Sequence, residues 1–159
     1  AFLLPEGDPM SELAAKAEML IHRPAQDVFD AFVQPDMLTK FWLSKASAAL
    51  APHETTHWEF MVKGASTDIR VECFDPPERL FFRFADDSKV ELCFKERDDG
   101  STHVTVKNFE LRNAEAAVDS TEGFTLVLSD LKTLLETGKS ANLVRDKAAL
   151  IQERMGAGG

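Results

Sequence analysis

Apolar residues recur at every second position in two runs in the middle of the chain, over residues 69–73 and 80–84. This period of two predicts two strands whose apolar residues share one face. Those residues are Ile69, Val71, Cys73, Leu80, Phe82 and Phe84. An Asp-Pro-Pro-Glu corner at residues 75–78 separates the strands. Proline has no N–H to donate and cannot continue a central strand, so the segment predicts a half-buried antiparallel hairpin.

Further alternation on both sides of this hairpin predicts a larger antiparallel sheet. A first strand is predicted over residues 18–23. Later strands are predicted from the alternating residues Trp58, Phe60 and Val62, then Val90, Leu92 and Phe94, and finally Val104 and Val106. An Asp-Asp-Gly-Ser turn at 98–101 joins the last two strands, while residues 44–56 predict a loop.

Two short helices are predicted between the first and second strands. Pro24 suits the first helical position, and Val28, Phe29 and Phe32 follow on one face. Pro35 ends this helix, and Asp36 can cap a second one. The second helix carries Met37, Leu38, Phe41 and Trp42 at three- and four-residue spacing.

A long amphipathic helix is predicted from the capping box at residues 119–122 to Gly138. Its apolar residues recur at intervals of three and four, and the apolar face of the sheet is the partner large enough to bury them. The sequence thus predicts an α+β fold, a curved antiparallel β-sheet wrapped around a long C-terminal α-helix. Residues 1–17 are interpreted as a lead-in, 18–138 as the domain, 139–155 as an additional helix and 156–159 as a flexible tail.

The additional helix has an apolar stripe that allows two interpretations. The stripe consists of Leu143, Val144, Ala148, Ile151 and Met155. It can pack against the same domain, or it can form a surface for a partner or for a homodimer.

Composition limits the possible functions. The 159 residues carry a formal net charge of −9, which disfavours nucleic acid and anionic membranes as partners. No apolar run reaches membrane-spanning length, and the first residues lack the pattern of a signal peptide, so we expect a cytoplasmic protein without membrane insertion. Of the two cysteines, strand parity places Cys73 inward and Cys93 outward, which predicts free thiols.

Three sequence elements, taken in order, are similar to one known superfamily. They are residues 21–29 with 35–42, the Val-Glu-Cys-Phe-Asp-Pro-Pro-Glu-Arg-Leu segment at 71–80, and Gly123-Phe124 at the start of the long helix. The chain resembles the START-like superfamily, also called SRPBCC or helix-grip. Within it, the sequence is most similar to uncharacterised proteins related to the activator of the heat-shock-protein-90 ATPase. It departs from them in lacking their glycines near residues 54–57 and 65–68.

The resemblance implies a cavity between sheet and helix that holds a hydrophobic small molecule, without a fixed cofactor. The residues expected to bind it are Phe41, Trp42, Trp58, Phe60, Phe82, Phe84, Leu92, Phe94, Phe124, Val127, Leu128 and Leu131. The same apolar residues could instead fill a packed core, and the sequence leaves both possibilities open.

Catalytic and metal-binding signatures are weak. The sequence has no glycine-rich phosphate loop and no nucleophile elbow, and His53 with His57 lacks a third metal ligand. His57, Glu59 and Asp68 are titratable residues expected near the cavity mouth, although parity turns His57 and Glu59 away from it. Three functions therefore remain: a hydrophobic-ligand binder, a chaperone-associated interaction protein, and a cyclase- or hydrolase-like enzyme acting on an aromatic or polyketide-like substrate.

Overall fold

The computed structural model describes the backbone of residues 13–158 and the side chains of residues 13–156. The N-terminal part of the predicted lead-in therefore lies outside the described residues. The elements are β1 (Ala14–Ile21), α1 (Ala25–Val33), α2 (Pro35–Phe41), β2 (Leu43–Ala46), β3 (Thr55–Phe60), β4 (Ser66–Asp75), β5 (Arg79–Phe84), β6 (Lys89–Glu96), β7 (Thr102–Phe109), α3 (Ala114–Thr137) and α4 (Leu143–Gly158).

The seven strands form one sheet in the order β1-β7-β6-β5-β4-β3-β2, and neighbouring strands pair antiparallel. One face of this sheet packs against α3, which buries Phe124, Val127, Leu128, Leu131 and Leu134. The predicted α+β helix-grip fold is thus confirmed, with two short helices after the first strand. In the part of the chain that the structure describes, no helix is long and apolar enough to cross a membrane.

Aromatic contacts pack the two short helices against each other. The Phe32 ring lies 5.5 Å from that of Phe41 and 6.1 Å from that of Trp42, in edge-to-face geometry. Pro24 is the N-cap of α1 rather than its first helical residue. Pro35 occupies the first turn of α2, so the residue predicted to break one helix also begins the next.

Two strand boundaries differ from the prediction. β1 begins at Ala14 rather than at residue 18, because Ala15 and Ala17 are buried where the strand pairs with β7. Alanine contributes a weak alternation signal, which explains the missed start. Residues 43–46 form the edge strand β2, most of which lies in the segment 44–56 interpreted as a loop, and β3 begins at the end of that segment, at Thr55. β2 pairs with β3 across a register shift.

Helix boundaries also differ. α3 begins at Ala114 because the Asn113 side chain accepts a hydrogen bond from the Ala116 N–H at 2.8 Å. The capping-box sequence at 119–122 therefore lies inside the helix. α4 continues through Gly158, beyond the predicted helix end at residue 155.

A bulge in β4 overturns the predicted orientation of Cys73. The register shifts between Val71 and Cys73, so Cys73 pairs with Phe81 on the outer face of the sheet. Phe74 takes the inward position and its ring lies 5.3 Å from that of Phe29. Both cysteines are half-buried. Both are free thiols, as the sequence predicted.

The outer face of the sheet carries cross-strand ion pairs. Arg83 Nη2 lies 2.7 Å from Glu72 Oε1, and Arg79 Nε donates to Glu91 Oε2 at 2.6 Å. The side chains of both pairs are partly exposed, so each contributes little to the free energy of folding.

Candidate ligand-binding site

An apolar cavity of about 330 Å³ lies between α3, α4 and one end of the sheet. Fifteen residues line it: Trp42, Phe60, Met61, Val62, Ala65, Phe84, Ser120, Gly123, Phe124, Leu126, Val127, Val144, Lys147, Ala148 and Ile151. All of them except Ser120 and Lys147 are apolar. The described chain thus contains a concave, mostly apolar site with few polar groups, which is typical of small-molecule pockets.

Aromatic residues from β3, β5 and α3, together with Trp42, shape the wall nearest the sheet. Phe60 at the end of β3 and Phe84 at the end of β5 have ring centroids 6.4 Å apart. Trp42, which follows α2, has its ring 5.6 Å from that of Phe124 on α3. These rings make edge-to-face or tilted contacts, which hold the cavity wall in a fixed shape.

Helix α4 supplies the opposite wall. Val144, Ala148 and Ile151 recur at intervals of four and three, so their side chains share the helix face that lines the cavity. The stripe predicted from the sequence therefore packs within the domain along this part, whereas Met155 at its end is 56% exposed.

Polar contacts attach α4 to the rest of the domain. Lys147 Nζ lies 3.0 Å from Glu122 Oε1 on α3. The backbone N–H of Lys63, in the turn between β3 and β4, donates to Gln152 Oε1 at 3.1 Å. α4 is consequently held at both the α3 side and the sheet side of the cavity.

The turn between α3 and α4 is fixed by a buried carboxylate. α3 ends at Gly138, whose φ of 85° is the left-handed conformation that glycine adopts without strain. Asp130 Oδ1 accepts from the Ser140 hydroxyl at 2.8 Å and from the Ala141 N–H at 3.0 Å. Because Asp130 is buried, these bonds set the direction in which the chain enters α4.

The residues expected from the sequence to bind ligand divide into two groups. Five of them line the cavity: Trp42, Phe60, Phe84, Phe124 and Val127. The other seven are buried side chains of the packed core: Phe41, Trp58, Phe82, Leu92, Phe94, Leu128 and Leu131. In the middle of the sheet these side chains contact one another directly, as shown by the 5.4 Å between the Trp58 and Phe82 rings.

Several lining residues did not appear in the sequence-based set. They come from the turn after β3 (Met61, Val62 and Ala65), from α3 (Leu126) and from α4 (Val144, Ala148 and Ile151). The apolar stripe of α4 was the signal that could have identified the last three. Val62 continued the alternation of Trp58 and Phe60 and was predicted in a strand, but β3 ends at Phe60 and Val62 lies in the turn. No periodic pattern distinguishes Met61 and Ala65 as lining residues, because a turn has no repeating face.

The side chains of Ser120 and Lys147, at the cavity wall, have identified partners. The Ser120 hydroxyl donates to Asn108 Oδ1 at 2.8 Å, and the Asn108 amide donates to the Lys89 carbonyl at 2.9 Å. Ser120 is therefore positioned by the sheet. Lys147 is the one charged residue among the described residues that line the cavity.

The titratable residues considered for catalysis lie elsewhere. His57 Nδ1 is 2.7 Å from Asp68 Oδ1, and both side chains are exposed. Neither residue lines the cavity, nor does Glu59. Residues 13–158 contain no group of three or more His, Cys, Asp or Glu side chains arranged to hold a metal ion.

The groups with shifted pKa values also lie outside the cavity. Burial raises the pKa of the Cys93 thiol, and the neighbouring Glu91 carboxylate raises it further. The Glu91 hydrogen bond raises the pKa of Arg79. For Glu136, burial opposes ionisation, but hydrogen bonds from Lys132 and from the His22 N–H outweigh it and lower the pKa.

A curved antiparallel sheet that grips a C-terminal helix beside an apolar cavity defines a START-like, helix-grip protein. The chain belongs to the family described as Activator of Hsp90 ATPase homolog 1-like protein, whose model matches residues 22–136. A comparison with curated proteins found no significant match.

Solved structures similar to this chain share its fold. The protein SSP2350 from Staphylococcus saprophyticus is 24% identical with a TM-score of 0.72, over 80% of this chain and 94% of that one. The Aha1 dimer from Colwellia psychrerythraea is 18% identical with a TM-score of 0.73, over 80% and 98%. CalU16 from Micromonospora echinospora is 16% identical with a TM-score of 0.66, over 89% and 86%. At these identities the likeness concerns the fold alone.

Proposed function

We propose that this protein binds an apolar small molecule in the cavity between α3, α4 and the sheet. The observation that carries the proposal is the cavity of about 330 Å³ with its almost wholly apolar wall. This volume is near the lower end of the range for ligand pockets, roughly 300–1,000 Å³, which suits a small hydrocarbon or aromatic compound.

Burial of apolar surface supplies the driving force in this proposal. Each Å² of apolar surface removed from water contributes about 25 cal/mol, before the costs of association are subtracted. The fixed aromatic wall reduces those costs, because few side chains need to be ordered on binding. Trp42 in this wall gives the protein an intrinsic fluorescent reporter of occupancy.

Fluorescence titration with a neutral apolar probe, N-phenyl-naphthylamine, tests the proposal. The probe should bind with one site per chain, and its emission should rise as it leaves water. In the Ala148→Trp variant the indole should occupy the cavity, since Ala148 is buried in its wall, and probe binding should be lost. Ala149→Trp is the matched control, because Ala149 is exposed on the same helix.

The folded state of both variants is checked by circular dichroism and by the midpoint of thermal unfolding. Equal probe binding by the wild type and by a folded Ala148→Trp variant would exclude this cavity as the site. Native mass spectrometry after incubation with an apolar extract of the host then identifies the natural compound from its mass.

A role as a chaperone-associated protein is the second candidate, and membership of the Activator of Hsp90 ATPase homolog 1-like family favours it. In this case the chain should stimulate the ATPase of the heat-shock-protein-90 homologue of its own organism. Unchanged ATPase turnover at saturating protein would argue against this role. The solved Aha1 dimer also makes self-association worth measuring, by light scattering in the same samples.

An enzymatic role has less support from the geometry. The described residues of the cavity wall include no carboxylate, imidazole or thiol that could move a proton. Turnover of an aromatic or polyketide-like compound that is lost on substitution of His57, Glu59 or Asp68 would favour it.

A further inference from the structure

A single charged residue in the described part of the chain, Lys147, lines the apolar cavity. Lys147 is on the face of α4 that lines the cavity, and its side chain is only 24% exposed. Its partner, Glu122, is 55% exposed and lies toward solvent. Lys147 is therefore the more buried partner of this ion pair, and it is the partner that lines the cavity.

The other polar residue of the wall cannot serve in the same way. The Ser120 hydroxyl already donates its proton to Asn108 Oδ1 at 2.8 Å. An ammonium group has three N–H donors, so Lys147 can hold a second carboxylate oxygen beside that of Glu122. The polar contact most readily offered to a ligand is therefore a charged donor from Lys147.

We infer that the natural ligand is an amphipathic carboxylic acid, with its carboxylate on Lys147 Nζ and its hydrocarbon part in the cavity. This inference rests on the proposed function and specifies the ligand class. A charge-assisted hydrogen bond beside an apolar wall is stronger than one in open water, because the local dielectric constant is lower. Because the Glu122 carboxylate is exposed, its contact with Lys147 is screened by water, so sharing Lys147 with a ligand carboxylate has a small cost.

The net charge of −9 does not oppose this binding strongly. At physiological ionic strength the Debye length is about 8 Å, so distant carboxylates are screened from the ligand. The contact with Lys147 acts within hydrogen-bond distance and is affected much less.

Two ligands of equal chain length, decanoate and decanol, separate the acid from the hydrocarbon contribution. Each is measured at neutral pH by the fluorescence of the tryptophans and by displacement of N-phenyl-naphthylamine. Lys147→Met removes the charge but keeps an unbranched apolar stem. It should weaken decanoate about tenfold, the size expected for one charge-assisted hydrogen bond, and change decanol less than about twofold.

Two further variants serve as controls. Lys147→Arg retains the positive charge and should keep most of the decanoate affinity. Lys40→Met removes an exposed lysine on α2, outside the cavity wall, and should leave both ligands unaffected.

The possible results distinguish this inference from the proposed function. If decanol binds and decanoate does not, or if Lys147→Met weakens both ligands equally, the carboxylate contact is refuted while the apolar site stands. If neither ligand nor the neutral probe binds, both proposals fail. Decanoate binding that depends on the charge at position 147 supports both.

Discussion

Two leucines on α3, Leu128 and Leu126, provide a direct test of the boundary between packed core and cavity. Leu128 is fully buried, at 0% exposure, on the face that packs against the sheet. Leu126 is half-buried and lines the cavity. Leu128→Ala should therefore affect stability more than ligand binding. Leu126→Ala, two residues away on the same helix, should affect ligand binding more than stability.

Leu128→Ala removes a side chain that is enclosed on all sides, and such changes cost about 2–5 kcal/mol because a void is left behind. Leu126→Ala should cost about 1 kcal/mol, since part of the side chain already contacts solvent and the cavity leaves few contacts to lose. For a domain of this size each kcal/mol shifts the unfolding midpoint by roughly 2–4 °C.

Urea unfolding at constant m-value measures the stability difference, and the N-phenyl-naphthylamine titration measures binding. Leu126→Ala should change the probe affinity with little loss of stability, whereas Leu128→Ala should lower stability with little change in probe affinity. Equal destabilisation by the two substitutions would refute the assignment of Leu128 to the core and Leu126 to the cavity.

Two further predictions concern the start of α3 and the outer face of the sheet. Asn113→Ala should lower the free energy of unfolding by about 1 kcal/mol, because the hydrogen bond that caps the first turn is lost. Asp119→Ala, inside the helix, should change it by less than about 0.5 kcal/mol. A larger effect at Asp119 than at Asn113 in urea unfolding would contradict the placement of the helix start at Asn113. Because burial and then Glu91 raise the pKa of Cys93, its thiol should stay protonated at neutral pH, and its alkylation by iodoacetamide in a Cys73→Ser background should keep rising with pH beyond the ordinary thiol pKa of about 8.5. An alkylation rate that levels off at a pH below the ordinary thiol pKa would show that the pKa of Cys93 is not raised.

Much of the sheet was predictable because one face is buried and the buried positions hold large apolar residues, such as Leu80 and Phe82 on β5. Prediction failed where the side chains were small or the register changed. Ala15 and Ala17 gave too weak a pattern to mark the start of β1, and the β4 bulge reverses the parity at Cys73 without any sign in the composition. A bulge depends on pairing with a partner strand, which local sequence does not describe.

The candidate site was harder to predict for a different physical reason. Phe82 and Phe84 have the same residue type and the same strand face, yet Phe82 is enclosed by the core while Phe84 lines the cavity. Whether an apolar side chain meets another side chain or empty space depends on how far the opposing helix lies from the sheet. Periodicity identifies the face of an element but carries no information on that distance.

Helix α4 completes the cavity wall from outside the region that the family model matches. The family model ends at residue 136, whereas Val144, Lys147, Ala148 and Ile151 complete the cavity wall from beyond that point. The region shared with the family therefore supplies strands β2 to β7 and nearly all of α3, and α4 adds both an apolar wall and the cation. Lys147, which would contact the polar end of the proposed ligand, lies outside the matched region, so the proposed ligand class rests on α4 rather than on the residues that the family model matches.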